Sequence, residues 1–437
     1  MLEQIKNRLI QMSNEDFSVK QPFPFNIIKR FLVVLSAIYG AAISVRLWLY
    51  RKKIMTTRKV PCFVISIGNI VAGGSGKTPM AIYVAEMIKS MGFNPVVVSR
   101  GYGGFIKGDS CVVAGDGKRL WSDPETVGDE PFMMASRLSF PVVVGKDRFK
   151  AATMAFKLFE IKSKCVHANA QIINKQSENL DVVILDDGFQ HIRLERDLDI
   201  VLMDCSRPFG NGRLLPAGRL RENPDRAMER ADIIIFTRYS GDENYKKFIK
   251  IHKNSGKVFF TTSHRPFLGN FFFKINHFRA DSTTKESDLV TGSKQISSIE
   301  SRKLSSIGSR TRSVITLDDF KGRRACLFSG IADNLSFRKT VENLGVSVKA
   351  HLEFNDHHMY KDGEISMILE TYYSSGADMI VTTEKDHARL SVDALDNLKE
   401  VDFGVIGVEI DFLDQSEELN NIIKSRISRA IKIKNEK

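Results

Sequence analysis

One glycine-rich turn constrains the fold and chemistry of this chain more than any other feature. The turn, Gly73–Thr78, reads GGSGKT and directly follows the apolar run Phe63–Ile67, which predicts a buried β-strand. In such a turn, backbone N–H groups converge on phosphate oxygens, the lysine adds a positive charge and the threonine hydroxyl can bind Mg²⁺. The next segment predicts a helix over 78–90, whose N-terminus also favours an anion. We therefore assign nucleotide binding to Gly73, Gly74, Ser75, Gly76, Lys77 and Thr78.

This turn, called the phosphate loop below, departs from the usual pattern at one position. A complete motif has glycine five residues before Gly76, where this chain has Val71. A glycine-rich turn that binds no ligand is therefore the alternative interpretation. Gly-Lys-Thr directly after a buried strand favours phosphate binding.

Composition narrows the possible partners of the chain. Its 437 residues are enough for about two or three domains, and an apolar fraction of 43% is ordinary for a folded protein. The net charge of +12 predicts an anionic partner, such as a phosphorylated substrate, lipid headgroups or nucleic acid. Basic residues are dispersed and form no recognition motif, so we expect no nucleic-acid binding. Five scattered cysteines argue against a disulfide framework or a zinc site.

The N-terminal region contains an apolar segment flanked by basic residues. The apolar run Phe31–Val45 has fifteen residues, whereas a helix that spans a bilayer needs about 20. Basic residues, together with Trp48 and Tyr50, suit the headgroup region. We expect residues 22–53 to form a helix that lies in an anionic membrane surface. A buried helix that packs on the next domain is the alternative.

Apolar runs alternate with helical patterns along most of the chain, which predicts an α/β fold. The predicted strands of a doubly wound parallel sheet are Phe63–Ile67, Pro95–Ser99, Val142–Gly145, Val182–Leu185, Ile200–Met203 and Ile233–Thr237. A second, smaller α/β domain begins near Arg324. The predicted division is a P-loop domain (54–264), a linker strand region (265–278), a flexible insertion (279–313) and the second domain (314–437). Residues 162–179 form another polar insertion.

Acidic residues follow the fourth predicted strand, Val182–Leu185. A buried strand that ends in Asp186 and Asp187 predicts one carboxylate opposite the phosphate loop, where it can bind Mg²⁺ directly or through water. A strand-end turn uses acids in the same way, which is the alternative interpretation. Gln190 and His191 follow closely and add more polar groups than a turn requires.

Three further groups of residues have candidate roles. Asp129, in the sequence Gly128–Pro131, is either the N-cap of a helix or the general base that deprotonates an acceptor hydroxyl. His357, beside Asp356, suits a catalytic or orienting imidazole better than a metal ligand, because no third ligand has a recognisable spacing. A predicted strand ends in Glu384, Lys385 and Asp386, without the asparagine of a guanine-binding motif.

With these motifs in order, the chain resembles the tetraacyldisaccharide 4′-kinase family, the lipid A 4′-kinases of Gram-negative bacteria. The resemblance rests on Gly68-Asn69 with Gly73–Pro79, Ser99–Gly103, Gly128–Pro131, Asp186–His191, Leu215–Gly218, Asp356-His357 and Thr383–Asp386. It covers most of the chain, and the missing glycine at Val71 is shared with the family.

The resemblance implies transfer of the ATP γ-phosphate to the 4′-hydroxyl of tetraacyldisaccharide 1-phosphate, with Mg²⁺ as cofactor. It further implies a peripheral or monotopic enzyme at the cytoplasmic face of the inner membrane, without an obligate protein partner. Two α/β/α domains joined by a two-stranded linker, with the active site in the cleft between them, are also implied. The alternative is a membrane-associated P-loop ATPase that acts as a conformational switch on a protein partner.

The resemblance also implies roles for individual residues. Asp129 becomes the base, assisted by His357, while Thr78 and Asp186 bind Mg²⁺ and Asp187 takes part in catalysis. We expect substrate or phosphate contacts from Gln190, His191, Arg148, Arg221 and Glu222. ATP contacts are expected from Glu384, Lys385 and Asp386. A second arginine, Arg219, leaves the register of the Arg221 contact open.

Overall fold

The computed structural model describes residues 25–169, 179–241, 243–252, 256–272, 316–398, 400–413 and 415–436. The helices are α1 (Phe25–Arg51), α2 (Lys77–Ser90), α3 (Pro124–Val127), α4 (Asp129–Arg137), α5 (Arg148–Asn169), α6 (Pro224–Arg230), α7 (Glu243–His252), α8 (Asn334–Asn343), α9 (Asp362–Ser375), α10 (Glu384–His387), α11 (Val392–Leu398) and α12 (Ser416–Asn435). The predicted insertion 279–313 lies outside the described residues, as do residues 22–24 and 170–178.

The strands form two sheets. They are β1 (Phe63–Asn69), β2 (Pro95–Ser99), β3 (Cys111–Asp116), β4 (Pro141–Gly145), β5 (Val182–Asp186), β6 (Leu198–Asp204), β7 (Ile233–Thr237), β8 (Val258–Thr261), β9 (Ser263–Phe272), β10 (Arg324–Ser329), β11 (Ser347–Glu353), β12 (Met379–Thr383) and β13 (Phe403–Asp411). A 3₁₀ turn, Leu317–Phe320, precedes β10.

The first sheet has eight strands in the order β3-β4-β2-β5-β1-β6-β7-β8. Its strands pair in parallel except at the edge, where β3 is antiparallel to β4. Every residue of β1, β2, β4, β5 and β7 is buried, which is why these strands read as continuous apolar runs. All six predicted strands are present, and β3 and β8 are additional. Ligands of such sheets bind beyond the carboxyl ends of the strands.

The second sheet has five strands in the order β11-β10-β12-β13-β9. Strand β10 pairs in parallel with β11 and β12, and β12 pairs in parallel with β13. Helices and parallel strands alternate here as they do in the first sheet. The predicted fold class, a doubly wound α/β domain with a second, smaller α/β domain, is confirmed.

Two compact units share the chain. The first comprises Met1–Arg265 and Val408–Lys437, and the second comprises Pro266–Gly407. The chain crosses from one unit to the other within β9 and again within β13, which are neighbours in the sheet. The predicted second domain ran to residue 437, whereas the contacts group the C-terminal segment with the first unit. The physical reason is that α12 buries an apolar stripe in that unit.

Helix α1 lies within the predicted range 22–53 and extends beyond the fifteen-residue apolar run on both sides. It has 27 residues, and its composition and length would allow it to cross a membrane. Length alone does not distinguish a spanning helix from one that lies on a surface.

We predict that Ile423→Ala destabilises the first unit by about 2–5 kcal/mol, because the side chain is fully buried in α12 and its loss leaves a cavity. Urea unfolding followed by tryptophan fluorescence measures this, since Trp48 and Trp121 both lie in the first unit. Ile433→Ala is the matched control, because Ile433 lies on the same helix and is 48% exposed. Equal effects of the two substitutions would contradict the burial of this stripe.

Candidate active site

The phosphate loop closes around Asn69, the last residue of β1. Its Nδ2 donates to the carbonyl oxygen of Val71 at 2.5 Å and to Oγ of Ser75 at 2.7 Å, so one buried amide joins both sides of the loop. Gly76 is the N-cap of α2 and has a left-handed backbone (φ 79°). His264 lies against Gly76 so closely that a Cβ there would be 2.9 Å from Nε2. Both facts favour glycine at this position.

Lys77 and Thr78 are the first two residues of α2, so their side chains lie at the N-terminus of a 14-residue helix. Nζ of Lys77 donates to the carbonyl oxygen of Gly73 at 3.3 Å, which folds the side chain back over the loop. Burial lowers the pKa of Lys77 below its ordinary value, and the charge of Asp187 opposes that effect. The positive charge of Lys77 and the N-terminus of α2 together form a site that can bind an anion.

Asp186 ends β5 next to the end of β1, because Ile67 and Asp186 are partners in the register of the two strands. Oδ2 of Asp186 accepts a hydrogen bond from Oγ of Ser99 at 3.1 Å. Oδ1 is buried and has no hydrogen-bond partner among the described residues. Burial, followed by the charges of Glu130 and Asp187, raises the pKa of Asp186 to about 7. Crowded like charges of this kind favour a bound cation.

These residues fit a magnesium ion that arrives with a nucleotide. Within the described ranges, no group of three or more His, Cys, Asp and Glu side chains could hold a metal ion. Mg²⁺ commonly takes one or two carboxylates and completes its shell with water and substrate phosphates. The unpartnered Oδ1 of Asp186 and the buried hydroxyl residue Thr78 are suitable protein ligands.

Asp187 is held by an arginine clamp. Nη1 of Arg221 donates to Oδ1 and Oδ2 of Asp187 at 2.7 and 3.0 Å, and to Oε1 of Gln190 at 3.1 Å. Burial alone would raise the pKa of Asp187, but the charges of Lys77 and Arg221 outweigh it and hold the pKa below its ordinary value. The contact identifies Arg221 as the arginine that pairs with the acidic strand end.

Glu222 connects Gln190, a partner of Arg221, to Arg230 on α6. Its Oε1 accepts hydrogen bonds from Nε2 of Gln190 at 3.2 Å and from Nη2 of Arg230 at 3.0 Å. The Nε2 group of Gln190 also donates to the carbonyl oxygen of Asn69 at 2.8 Å. The strand that leads to the phosphate loop and the loop that carries Arg221 are therefore joined through one glutamine.

Arg148, the first residue of α5, is buried and donates to the carbonyl oxygens of Gly145 at 3.3 Å and Asp186 at 3.4 Å. Burial lowers the pKa of Arg148 to about 10. Burial and the charge of Arg148 lower the pKa of His191 to about 4, so this imidazole is neutral at pH 7. The structure brings both residues to the acidic strand end, and their contacts with substrate stay predictions.

The start of α4 adds two acids to this edge. The charge of Glu130 acts on both Lys77 and Asp186, which places the first turn of the helix within electrostatic reach of the phosphate loop. Asp129 is buried and is the first helical residue, while Gly128 is the N-cap with φ 89°. The interpretation of Asp129 as the N-cap is therefore wrong. Its use as a general base stays a prediction.

Three side chains of α1 reach the same loops and donate to backbone carbonyl oxygens. Ser36 donates to Leu214 at 2.9 Å, Tyr39 to Arg221 at 2.9 Å and Arg46 to Gln190 at 3.3 Å. The docked face of α1 therefore touches Arg221, whose side chain binds Asp187, and Gln190, whose side chain accepts from Arg221. A substituent on Gly40, on the same face, would collide with Leu214.

The predicted ATP-binding residue Asp386 is buried inside the second unit. Its Oδ1 accepts hydrogen bonds from the backbone N–H of Gly330 at 2.9 Å, the hydroxyl of Tyr360 at 2.9 Å and Nη1 of Arg389 at 3.0 Å. Oδ2 accepts from Oγ1 of Thr383 at 2.6 Å. With both oxygens engaged and no exposed surface, Asp386 does not offer a direct contact for a nucleotide, which corrects the prediction. Contacts from Glu384 and Lys385 stay predictions.

His357 lies on a loop that the Asp386 network holds. The backbone N–H of His357 donates to the carbonyl oxygen of Gly330 at 3.2 Å, and Arg389 donates to the same oxygen at 2.7 Å. His357 has a left-handed backbone (φ 62°), which is uncommon for a histidine and needs such support. The adjacent His358 is used differently, because its Nε2 lies 2.9 Å from Oε2 of Glu364.

Sequence reasoning gave no role to several residues at this site. Ser99 and Glu130 lie in the segments Ser99–Gly103 and Gly128–Pro131, and their polar side chains were the only available signal. Tyr39 had no signal that separates it from surface residues, and Arg219 was named only as the alternative to Arg221. Their contacts depend on segments far apart in sequence, which only the tertiary structure brings together.

Comparisons with known proteins agree with this geometry. A family model described as tetraacyldisaccharide-1-P 4′-kinase matches residues 28–428. A tetraacyldisaccharide 4′-kinase from Desulfatibacillum aliphaticivorans is 34% identical over 399 residues, which cover 91% of this chain and 92% of the relative. A protein of the same name from Syntrophus aciditrophicus is 36% identical over 374 residues, which cover 85% of this chain and 86% of the relative.

A solved structure is also similar. It is the "apo" form of LpxK from Aquifex aeolicus in complex with ATP, with a TM-score of 0.60 and 26% sequence identity. The alignment covers 92% of this chain and 99% of that chain. Sequence and structure therefore agree over nearly the whole chain, and the chain belongs to the tetraacyldisaccharide-1-P 4′-kinase family.

Proposed function

We propose that this chain transfers the γ-phosphoryl group of ATP to the 4′-hydroxyl of a tetraacyldisaccharide 1-phosphate, a precursor of lipid A. The observation that carries the proposal is the meeting of the phosphate loop, the Asp186–Asp187 strand end and the acidic start of α4 at one sheet edge. A nucleotide switch needs the first two elements, whereas a buried acid such as Asp129 suits activation of an acceptor hydroxyl. Family membership also favours the kinase over the switch ATPase.

The proposed reaction is an in-line displacement. Asp129 accepts the proton of the 4′-hydroxyl, and the oxygen electron pair forms a bond to the γ-phosphorus. The bond from that phosphorus to the β,γ-bridging oxygen breaks, and its electron pair leaves with ADP. Lys77 binds the terminal phosphates as a point charge. Bound Mg²⁺, held by Thr78 and Asp186, would neutralise charge on the same phosphates.

His357 is proposed to assist proton transfer in this reaction. The hydrogen bonds of Asp386 suggest how this imidazole is held, because Asp386 and Arg389 fix Gly330, whose carbonyl oxygen accepts from His357. We therefore assign Asp386 a positioning role. Loss of this carboxylate would affect the chemical step more than it affects the binding of ATP.

Helix α1 supports a location on a lipid surface. Its outward face carries an apolar stripe at helical spacing, formed by Ile27, Phe31, Val34, Ile38, Val45 and Trp48, each more than half exposed. The opposite face docks on the first unit through hydrogen bonds in the middle of the helix. A helix docked in this way fits the plane of the interface better than a perpendicular span. We place it on an anionic membrane surface, at the cytoplasmic face of the inner membrane where ATP is available.

We predict that Asp129→Asn lowers the turnover rate of lipid phosphorylation by about 10²–10⁴-fold, because the general base is removed while the nucleotide site is kept. Formation of the bis-phosphorylated lipid from radiolabelled ATP measures this. Asp225→Asn is the matched control, since Asp225 is also an acid in the first turn of a helix and is exposed on α6. Consumption of ATP without phosphorylation of the lipid would overturn the proposed function.

We expect Asp386→Asn to lower kcat and to leave the KM for ATP within about threefold, because a buried charge pair that positions His357 is broken. Hydrogen exchange at the backbone of 354–358 should become faster. Asp393→Asn, an exposed acid of the same unit, is the control. If the variant does not fold, Tyr360→Phe removes only one donor to Asp386. A selective rise in the KM for ATP would instead indicate direct nucleotide contact.

Replacing two residues of the stripe, Phe31→Ser with Ile38→Ser, should weaken binding to vesicles that contain anionic lipid by at least about tenfold. The reason is that each substitution removes roughly 1.5–3 kcal/mol of apolar burial in the interface. Cosedimentation measures the loss. Val392→Ser is the control, because Val392 is 74% exposed and lies in the second unit. Unchanged binding would argue against this face as the membrane contact.

A further inference from the structure

Arg219 lies directly against the phosphate loop. A Cβ built on Gly73 would collide with Nη2 of Arg219 and would lie 2.9 Å from its Cζ. The guanidinium therefore occupies the space that any other side chain at Gly73 would need. The backbone of Gly73 (φ 118°) is also one that favours glycine.

A short antiparallel contact fixes the backbone that carries this arginine. The N–H of Ala72 donates to the carbonyl oxygen of Arg219 at 2.7 Å, and Val71 and Leu220 form a bridge. Leu220 is buried. Because side chains alternate along an extended segment, Arg219 and Arg221 share the face opposite Leu220. On that face, Arg221 binds Asp187 and Arg219 packs against Gly73 of the phosphate loop.

Two cations meet at Gly73. Nζ of Lys77 contacts the carbonyl oxygen of this glycine at 3.3 Å, while the guanidinium of Arg219 lies against its Cα. In phosphate loops this lysine reaches the β- and γ-phosphates. Burial, followed by the charge of Arg207, lowers the pKa of Arg219. Two positively charged side chains that both contact one residue of the phosphate loop favour a bound polyanion.

Resting on the proposed function, we propose that Arg219 is an additional catalytic residue that binds the γ-phosphoryl group of ATP and stabilises its charge during transfer. A guanidinium supplied within the same chain at this place acts as an arginine finger does, with two N–H groups directed at phosphate oxygens. Glycine at position 73 is then required for access of this guanidinium as well as for the turn.

Nucleotide binding tests this proposal separately from lipid phosphorylation. Arg219→Gln should weaken the affinity for the non-hydrolysable triphosphate AMP-PNP by about tenfold or more, and the affinity for ADP by less than about threefold. Isothermal titration calorimetry with Mg²⁺ measures both. Arg219→Lys should recover part of the AMP-PNP affinity, because it keeps the charge and loses the planar fork. Arg213→Gln, an exposed arginine of the same loop, is the matched control.

Transfer kinetics add a second measurement. Arg219→Gln should lower kcat by about 10³-fold with little change in the KM for the lipid. An equal loss of AMP-PNP and ADP affinity, or no loss of either, would overturn the assignment. A wild-type protein that prefers AMP-PNP through Arg219 but phosphorylates no lipid would overturn only the proposed function.

Discussion

The parallel pairing of β1 with β5 is the constraint on which the site depends. It sets the end of the strand that feeds the phosphate loop beside Asp186 and Asp187. The charges of Glu130 and Asp187 act there on Asp186, whose unpartnered Oδ1 is suited to bind a cation. Lys77 and Arg221 supply positive charge, which is why the pKa of Asp187 stays low while that of Asp186 rises.

Helix α1 and the acidic strand end are linked by hydrogen bonds. Tyr39 and Arg46 donate to the carbonyl oxygens of Arg221 and Gln190, and the side chain of Arg221 in turn donates to both Asp187 and Gln190. Contact of α1 with a lipid surface would therefore affect the acidic strand end through these two hydrogen bonds. A lipid kinase gains from this arrangement, since its acceptor substrate arrives from the same surface.

Motifs with a fixed local geometry could be predicted well. The phosphate loop, the acidic end of β5 and the six buried strands follow from residue type and order alone. Asp386 shows the opposite case. Its position after a strand suggested a nucleotide contact, but donors from separate segments turn both of its oxygens inward. The helix α1 lies within the predicted range 22–53, but its docking contacts on the first unit could not be predicted, because its partners are far away in sequence.

The amino-acid order was enough to predict the α/β class, a nucleotide-binding loop and the family, because each depends on short runs of residues whose physical roles are local. The folded chain was needed to show which arginine pairs with Asp187, which one covers Gly73 and where α1 docks. The reason is that Arg219 and Arg221 are two residues apart and chemically identical, so only the partners brought to them by the folded chain distinguish them.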